Sequence, residues 1–352
     1  MPKETMTPLE RWQAVLQRQT PDRVPMDYWG TDEASEKLMK YLGCSTREEA
    51  LKKLHVDFSI WVSPRYAGPP LPPQTDAFGI RYTVVNYGSG VYSEATWHPL
   101  AQYNSVEEIE QNYIWPNPDW WDYEVLHQQI KDFEEYPVRG GLSEPFLIYK
   151  DLRGQEQAML DMVLYPEMVE YCLEKLFELA YQNSLRTFET IPGRVTYTDV
   201  AEDMGWQENL MYSPDHIRQF LFPGMKRMIE LARQAEIVVF HHNDGSIIKI
   251  LPELVELGIE VLNPIQWRAK GMDRETLKQQ FGNRLIFHGG MDNQFTLPFG
   301  TIEEVRQEVL DNLRILGQDG GYILAPCHNI QSNTPVENIL AMYETCYNAG
   351  WI

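Results

Sequence analysis

The sequence predicts an α/β fold, a (β/α)8 TIM barrel with an N-terminal extension and a β-hairpin insertion, built as one domain over residues 1–352. Three observations predict it. From about Arg194 onward, five apolar strand-like runs alternate with five helix-like runs. Strands this apolar, each returning through a helix, must lie parallel and be covered on both faces or closed into a barrel. No GxGxxG turn follows a first strand, which favours the barrel over an open doubly wound sheet.

Capping residues bound the five units of the second half. Several helices begin with Ser, Asp or Thr followed by Glu, and two are expected to end at Gly258 and Gly317. In chain order the strands are RVTYTDVAED, EIVVFHHND, IEVLNPIQW, RLIFHGGMD and GYILAPC, and the helices after them are the segment 213–235, SIIKILPELVELG, DRETLKQQFG, TIEEVRQEVLDNLRILG and PVENILAMYETCYNAG.

The first half supplies the remaining strands. RVPMDYWG is predicted as strand one, VDFSIWVS as a second, and YPVRGG as a segment that leads into EPFLIY and a long helix from Pro166 to about Thr190. Residues 67–99 differ: GPPLPPQTD is typical of a loop, and FGIRYTVVNYGSGVYSEATW is typical of an antiparallel hairpin. We expect this insertion to form a lid or wall at one end of the barrel.

Composition excludes several classes of partner. With 352 residues, 43% of them hydrophobic, the chain can bury a large core. Its formal net charge of −21 repels nucleic acid and anionic membrane surfaces, and no Lys/Arg cluster longer than a pair occurs. We therefore expect neither partner. Because the chain shows no secretory signal and no apolar run of 18 residues, we expect it in the cytoplasm.

Polar residues follow every strand of the second half. In a barrel of this type, functional residues lie at the carboxyl ends of the strands. The loops at these ends are also polar where no functional site exists, which is the alternative explanation. The residues at these ends are Asp199, Glu202 and Asp203, then His241, His242 and Asp244, then Asn263 and Gln266, then His288 and Asp292, and finally Cys327, His328 and Asn329.

Two strand ends carry metal-ligand residues. VVFHHNDG ends in His242 and Asp244, and YILAPCHN ends in Cys327, one of four cysteines too few and unpatterned for a disulfide framework. We predict one mononuclear site held by these three side chains. An imidazole, a carboxylate and a thiolate suit Zn²⁺ best, with the fourth position open or filled by Glu202. His241 is the alternative to His242, because adjacent strand residues point to opposite sides.

These residues carry a family resemblance over nearly the whole chain. The sequence resembles the uroporphyrinogen decarboxylase superfamily, and within it the zinc methyltransferases of corrinoid-linked systems, in which a His-x-Cys motif and a distant second Cys bind zinc. HND at 242–244, followed by Gly245, stands at the His-x-Cys position, and Cys327 at that of the second Cys. MDYWG at 26–30, GGMD at 289–292 and PCHNIQSNTPVENI near the end also match. The resemblance implies a TIM barrel and a bound zinc ion.

Two departures from the family pattern bear on the reaction. The Arg-rich RQAGRY loop with which true uroporphyrinogen decarboxylases hold a polycarboxylate is replaced by MDYWGTDEA, so decarboxylation of such a tetrapyrrole is not expected. Asp244 replaces the first Cys, and a carboxylate makes the ion a harder Lewis acid that prefers an oxygen ligand to a thiol. We therefore expect an O-demethylase type of methyltransferase, with an oxygen-linked methyl donor such as an aryl methyl ether.

The expected chemistry also implies a partner and roles for further residues. No DxHxxG-type cobalamin-binding sequence occurs in the chain, so the cobalamin that accepts the methyl group is expected on a separate corrinoid protein. Glu202 or Asp203 is expected to orient the zinc-bound oxygen or to act as an acid. The expected substrate-binding residues are Tyr28, Trp29 and Trp61, as an aromatic wall, and Asn263, His288 and Asp292 at strand ends; ordinary core packing is the alternative for the aromatic residues.

Two other classes of function use the same residues differently. A metal-dependent hydrolase or lyase, including a decarboxylase, would activate water with the same ligands and with Glu202 or Asp203 as base, and would need no corrinoid partner. In a non-catalytic binding barrel, His242 and Cys327 would be packed and metal-free.

Overall fold

A computed structural model of the chain describes residues 4–88 and 90–352. Among these residues, seven strands lie parallel in one sheet and the other four form two short antiparallel pairs. The strands are β1 (Ile60–Val62), β2 (Arg65–Tyr66), β3 (Arg81–Asn86), β4 (Val91–Trp97), β5 (Trp121–Asp122), β6 (Val138–Ser143), β7 (Tyr197–Val200), β8 (Val238–His242), β9 (Val261–Asn263), β10 (Ile286–Met291) and β11 (Tyr322–Pro326). The parallel sheet runs in the order β1, β6, β7, β8, β9, β10, β11.

Residues 24–30 join the two edges of this sheet. The backbone amide of Asp27 donates to the carbonyl of Leu324 in β11 (2.8 Å), and Leu324 bridges Met26 in parallel. On the other side, the amide of Asp57 donates to the carbonyl of Met26 (2.7 Å), just before β1. The segment therefore takes the place of an eighth strand, and the predicted (β/α)8 TIM barrel is confirmed, with RVPMDYWG as its first strand.

The helices return the chain between strands. They are α1 (Pro8–Leu16), α2 (Asp32–Leu42), α3 (Arg47–Lys53), α4 (Val106–Asn112), α5 (Val125–Gln129), α6 (Pro145–Arg153), α7 (Gln155–Leu164), α8 (Pro166–Thr190), α9 (Pro214–His216), α10 (Phe222–Gln234), α11 (Leu251–Leu257), α12 (Arg274–Phe281), α13 (Thr296–Phe299), α14 (Ile302–Ile315) and α15 (Val336–Ala349). A π-helical turn, Ile217–Leu221, connects α9 to α10, and a 3₁₀ turn, Pro118–Trp120, precedes β5. Each of the five strands of the second half is followed by the helix that the sequence predicts.

Capping chemistry sets several of these boundaries. Thr301 accepts a hydrogen bond from the amide of Glu304, whose side chain returns to the Thr301 amide, so α14 begins with a capping box. Ser213 and Asp273 accept backbone amides at the starts of α9 and α12. Gly258 ends α11 in the left-handed conformation, as predicted, whereas the last residue of α14 is Ile315 and its C-cap is Leu316, one residue before Gly317.

The predicted antiparallel hairpin is present as β3 and β4. Ser89, which stands between the two strands in the sequence, is outside the described residues. Most of the hairpin's side chains are exposed, and it contacts the barrel near its tip: the Tyr87 hydroxyl donates to the Gln331 side chain (3.1 Å), and the Val91 amide donates to Glu33 (3.3 Å). Gln331 follows β11, so the hairpin lies beside the carboxyl end of the barrel.

The N-terminal helix fills the opposite end of the barrel. The Trp12 ring stacks on Tyr197 at 5.4 Å and on Phe240 at 6.1 Å. It packs in a cluster of strand side chains that point into the barrel. Its indole nitrogen donates to the carbonyl of Asp57 (2.8 Å). With that end filled, the open end is the one where the carboxyl ends of the strands meet. Within the described part of the chain, no helix is both long and apolar enough to cross a bilayer.

Candidate metal centre at the carboxyl ends of the strands

Three side chains meet at the mouth of the barrel with donor atoms that suit a metal ion. His242 is the last residue of β8, Asp244 follows two residues later, and His328 comes just after β11. One ligand atom from each lies within 4.8 Å of the others. Donors bound to a common zinc ion at about 2.0–2.2 Å lie within such a distance of one another. The side chains are all partly buried, so they form a recessed group.

The backbone around Asp244 is fixed by the neighbouring loop. The Asp244 amide donates to the carboxylate of Asp203 (2.9 Å), and the Gln266 side chain donates to the Asp244 carboxylate (3.0 Å). Gly205 and Gly245 let the loops after β7 and β8 touch: a Cβ atom on Gly205 would lie 2.3 Å from the Asp244 carbonyl oxygen. Two glycines therefore permit the approach that places Asp244 beside His242.

A chain of hydrogen bonds orients His242 from below. Its Nδ1 donates to the side-chain oxygen of Asn263 (2.6 Å), which leaves Nε2 for a metal. The Asn263 amide nitrogen donates to Nδ1 of His288 (2.6 Å), and Nε2 of His288 donates to the Asp27 carboxylate (3.1 Å). Asn263, His288 and Asp27 are buried, so each donor in the chain has one available acceptor.

Negative charge dominates the surroundings of the three donors. Burial lowers the pKa of His242, but the charges of Asp244 and Asp203 raise it above its ordinary value overall. Burial raises the pKa of Asp244, and the neighbouring charge of Asp203 acts in the same direction. The carboxylates crowd one another, and a divalent cation among them would relieve the repulsion.

Glu144 adds a further carboxyl group to this environment. It follows β6, and burial together with the charge of Asp203 raises its pKa to about 7. A carboxyl group with such a pKa exchanges a proton near neutral pH, which suits a general acid or base. The charge of His242 acts on Glu144 in the opposite direction, so the two groups belong to one electrostatic site.

The donor set fits a divalent transition metal. Two imidazoles and one carboxylate form a catalytic type of zinc site, in which three protein ligands leave a position open. The same set also binds other divalent metals that prefer nitrogen and oxygen donors. His242, Asp244 and His328 are therefore the residues that would hold the ion.

The structure differs from the sequence prediction at the third donor. Cys327 is buried, and its thiol donates to the carbonyl of Ile265 (3.1 Å); no group of three ligand residues in the described part of the chain includes it. The backbone amide of Cys327 still pairs with Met291, which continues the ladder of β10 and β11. Since adjacent residues of an extended chain point to opposite sides, His328 faces the cluster when Cys327 does not.

The same alternation separates the two histidines of β8. His241 is fully buried, and its Nδ1 lies 2.7 Å from the carbonyl of Val200. Burial lowers the pKa of His241 to about 4, so it stays neutral. The cluster contains His242 and not His241.

The two predicted catalytic residues lie beside the cluster, and their carboxylates accept hydrogen bonds from different backbone amides. One carboxylate oxygen of Glu202 accepts the amide of Phe146 at the start of α6 (2.8 Å), and burial raises the pKa of Glu202 well above its ordinary value. One oxygen of Asp203 accepts the Asp244 amide. Glu202 thus holds a helix N-terminus in place, whereas Asp203 contacts the backbone of a metal-ligand candidate. Their catalytic roles stay predictions.

The predicted aromatic wall divides into two parts. The Trp29 ring lies 5.6 Å from His242 and 5.3 Å from Trp61, and Trp61 is 54% exposed at the rim. The Trp61 ring is therefore open to a substrate, whereas Trp29 is buried, at 7% exposed. Tyr28 is buried, and its hydroxyl lies 3.0 Å from the hydroxyl of Ser35 in α2, where it packs into the core.

The other predicted substrate-binding residues support the site from below or from the side. Asn263 and His288 belong to the hydrogen-bond chain under His242. The Asp292 carboxylate accepts the Thr296 amide (3.0 Å) and the Arg268 guanidinium (2.7 Å), which holds the turn after β10. The geometry places these three as supporting residues, and direct contact with a substrate stays a prediction.

Three residues of the site were not singled out from the sequence. The sequence predicted His328 only as a polar residue at a strand end, and it predicted no role for Glu144 or Arg139. Glu144 has a detectable signal, since it directly follows a strand of the barrel as the other polar residues do. Arg139 lies inside β6, and its guanidinium is 3.7 Å from the centre of the Trp61 ring. That contact joins β6 to β1 and has no local sequence pattern.

Comparison with known proteins places this barrel in a family. The family model described as "Uroporphyrinogen decarboxylase (URO-D)" matches residues 116–349. Curated relatives described as "Uroporphyrinogen decarboxylase" include one from Psychromonas ingrahamii, 23% identical over 206 residues, which are 58% of this chain and 52% of the relative. One from Neisseria meningitidis is 25% identical over 214 residues, 60% of this chain and 54% of the relative. The matches span about half the length of these relatives.

A solved structure shows the same fold over almost the whole chain. The structure described as "methyltransferase from Methanosarcina mazei" superimposes with a TM-score of 0.71, covering 97% of this chain and 99% of that one, at 19% sequence identity. At this identity the likeness concerns the fold. The family model covers well over half of the chain, and the chain therefore belongs to the uroporphyrinogen decarboxylase family.

Proposed function

We propose that the protein is a metal-dependent methyltransferase that moves a methyl group from an oxygen-linked donor, an aryl methyl ether, to the cob(I)alamin of a partner corrinoid protein. The observation that carries the proposal is the donor set at the barrel mouth. It consists of two imidazoles and a carboxylate, His242, Asp244 and His328, without a thiolate. Nitrogen and oxygen donors leave a cation hard enough to prefer an oxygen ligand, as an ether provides.

A Zn²⁺ ion held by these donors would supply Lewis acidity toward the ether oxygen. The other side chains of the protein orient the metal ligands and shield the site from solvent. Asn263 fixes the His242 ring, Gln266 and Asp203 fix Asp244, and Trp29 gives an aromatic surface next to His242. These contacts hold the reacting groups in one geometry, which lowers the entropic cost of the transfer.

Glu144 would provide the proton that the leaving oxygen needs. In the transfer, the carbon–oxygen bond breaks with its electron pair on oxygen, and the two electrons of cob(I)alamin form the new carbon–cobalt bond. A phenolate leaving group then takes up a proton. Because its pKa is raised to about 7, Glu144 carries a proton in a large part of its population near neutral pH.

The acidic mouth also bears on the alternative reactions. A polycarboxylate tetrapyrrole would meet Asp203, Asp244 and Glu144 and a chain of net charge −21, so its decarboxylation is disfavoured. A metal-dependent hydrolase or lyase is the second candidate, and the observation that favours it is again Glu144, whose pKa also suits a base that activates water.

The proposal is tested with the purified zinc-loaded protein, free cob(I)alamin and a panel of aryl methyl ethers. We expect the cob(I) absorption to be replaced by that of methylcob(III)alamin with at least one ether. If no methyl donor in the panel changes the spectrum while the protein holds one zinc per chain, transfer from these aryl ethers to free cob(I)alamin is excluded, and that result contradicts the proposal. Release of methanol without any cobalamin would support the hydrolase.

Zinc content of variants tests the ligand set independently. We expect His242→Ala and His328→Ala each to lose stoichiometric zinc, and Cys327→Ala to retain it, because the thiol contacts a backbone carbonyl. His127→Ala, at an exposed histidine of α5, is the control. Loss of zinc from Cys327→Ala with retention in His328→Ala would instead restore the set predicted from the sequence.

A further inference from the structure

One face of the hairpin formed by β3 and β4 is open to solvent along its whole length. The alternation of side chains along the strands puts six residues on this face, and all six are exposed. We call it the outer hairpin face, and its residues are Arg81, Thr83, Val85, Tyr92, Glu94 and Trp97. On the opposite face, Tyr82 and Ala95 are half-buried and pack against the core. The hairpin thus rests on the barrel by one face and leaves the other uncovered.

The outer hairpin face carries large apolar side chains. Tyr92 is 67% exposed and Trp97 is 49% exposed, and Val85, which pairs with Tyr92 across the strands, is exposed as well. The solvent face of an antiparallel sheet is normally polar, and a two-stranded hairpin alone is only marginally stable in water. Tyrosine and tryptophan are also residue types that anchor protein interfaces. The face is therefore suited to pack against another protein surface.

The hairpin is electrically neutral although the protein is strongly acidic. Residues 80–97 contain two charged residues, Arg81 and Glu94, whereas the whole chain has a net charge of −21. Two copies of such a chain repel each other wherever acidic surfaces meet, because like charges face each other across the contact. A neutral and apolar face avoids this repulsion. The outer hairpin face is thus a place where a second copy of the chain can pack.

The two charges of this face are arranged so that the face is complementary to itself. Arg81 and Glu94 are both exposed, and neither has an ion-pair partner among the described residues. They lie on different strands and at different levels, because Arg81 pairs with Trp97 and Glu94 pairs with Thr83. A twofold axis between two facing hairpins therefore places Arg81 of each copy beside Glu94 of the other. Contacts between identical subunits require a patch of this kind.

We propose that the protein forms a homodimer in which the outer hairpin faces of two copies pack against each other. Val85, Tyr92 and Trp97 of both copies form the apolar centre of the contact. Two ion pairs between Arg81 and Glu94, one on each side of the twofold axis, border this centre. The proposal concerns the assembly of the protein and holds for any reaction at the metal centre.

The size of the outer hairpin face sets the strength of the dimer. Strands of six and seven residues, lying side by side, cover about 20 Å by 10 Å. A contact between two faces of this size lies at the low end of specific interfaces, below about 1,200 Å² in total. We therefore expect a weak dimer with a dissociation constant of about 1–100 μM.

Sedimentation equilibrium of the full chain tests the dimer, at concentrations of about 1–300 μM that bracket the expected dissociation constant. We expect the unmodified protein to show a monomer–dimer equilibrium. Tyr92→Ser removes an exposed ring from the centre of the contact, and we expect it to weaken the dimer about tenfold or more without changing the circular dichroism. Val163→Ser, in α7 and also 67% exposed, is the matched control and should leave the dissociation constant unchanged.

Charge reversals test whether the two faces meet as proposed. We expect Arg81→Glu and Glu94→Arg each to weaken the dimer about tenfold, because each places like charges side by side, and we expect the double variant to restore it. An effect of net charge alone would differ between the two single variants. Arg81→Glu makes the chain more acidic and would weaken association, whereas Glu94→Arg makes it less acidic and would strengthen association.

Two results would overturn the proposal. A monomer at every concentration would show that a second copy does not cover the outer hairpin face, which would then be left for a different protein. A dimer that survives Tyr92→Ser and both charge reversals, or that Val163→Ser abolishes, would place the contact between copies elsewhere on the surface.

Discussion

At the scale of single residues, the site depends on how His242 is held. Its Nδ1 donates to Asn263, whose amide donates to His288, which donates to Asp27. Every donor points in the same direction along the chain, so both imidazoles are fixed in one tautomer. For a metal ligand, this second layer of hydrogen bonds sets the ring orientation and the basicity of the nitrogen that binds.

Asn263→Ala tests this orientation. The substitution leaves Nδ1 of His242 without its acceptor, and we expect zinc affinity to fall about 10- to 100-fold, as for other second-layer partners of metal ligands. Competition with a chromophoric chelator measures it. Asn312→Ala is the control, because Asn312 is equally buried but donates to the carbonyl of Gly290, away from the cluster. An unchanged affinity in Asn263→Ala would show that the chain does not orient the ligand.

The raised pKa of Glu144 predicts that the stability of the metal-free protein depends on pH. Its pKa is raised from 4.5 to about 7, mainly by burial, so the folded state binds the proton more tightly than the unfolded state. Stability from this group is therefore present below about pH 4.5, falls as pH rises through the interval up to about 7, and stays lower above it.

Glu144→Gln removes this titration. We expect the variant to be more stable than the unmodified protein at pH 8, by about 3 kcal/mol, and to lose that advantage at pH 4.5, as measured by urea unfolding. Glu124→Gln, at an exposed glutamate, should show no such difference. The same shift in both variants would assign the effect to net charge and not to the buried carboxyl group.

At the scale of elements, strand ends and their loops position the donors. The loops after β7 and β8 touch through the bridge between Trp206 and Ser246, and the Ser246 amide donates to the Trp206 carbonyl (2.8 Å). Asp244 lies within this contact, next to Gly205 and Gly245. Two loops thus share the placement of one carboxylate, which a single loop would hold less firmly.

We expect Gly205→Ala to push apart the loops that follow β7 and β8. Its Cβ would lie 2.3 Å from the Asp244 carbonyl oxygen, closer than atoms pack, so the Asp244 backbone must move. We expect zinc affinity to fall about tenfold or more, with the fold retained by circular dichroism. Gly193→Ala is the control, because a Cβ there meets nothing within 4 Å although φ is +72°. Wild-type zinc affinity in Gly205→Ala would mean that the loop contact does not position Asp244.

At the scale of the whole molecule, a buried ion network joins the N-terminal segment to the barrel. The Asp57 carboxylate accepts Nη1 of Arg23 (2.7 Å) and the amide of Met26 (3.0 Å), and it also pairs with Arg11 in α1. Asp57 is 1% exposed. The network therefore fastens both the helix that fills the closed end and the segment that completes the barrel.

Asp57→Ala tests how much the stability of the closed barrel depends on this network. Two buried guanidinium groups lose a shared partner, and we expect the free energy of unfolding to fall by about 3–5 kcal/mol in chemical denaturation. Asp122→Ala, which breaks the exposed pair with Arg65, should cost no more than about 1 kcal/mol. Similar losses in the two variants would contradict a specific role for the buried network.

The fold was largely predictable because its signals are local. The strands of the second half are apolar runs that end in polar residues, and their helices begin at caps such as Ser213, Asp273 and Thr301. The long helix was predicted from Pro166 to about Thr190 and is observed as Pro166–Thr190. Chain length and right-handed βα connections then leave few arrangements other than the barrel.

The site was predictable in location and only partly in composition. By itself, the sequence predicted that Asp244 and one of the two histidines His241 and His242 meet at the carboxyl ends of the strands, because the end of β8 is a local pattern, and the structure selects His242. Only the tertiary structure decided that His328 and not Cys327 lies beside them, that Asn263 and His288 support the ligand from below, and that Arg139 meets Trp61. These contacts join different strands, and the direction of a side chain at a strand end depends on register and on neighbouring loops, which no local pattern specifies.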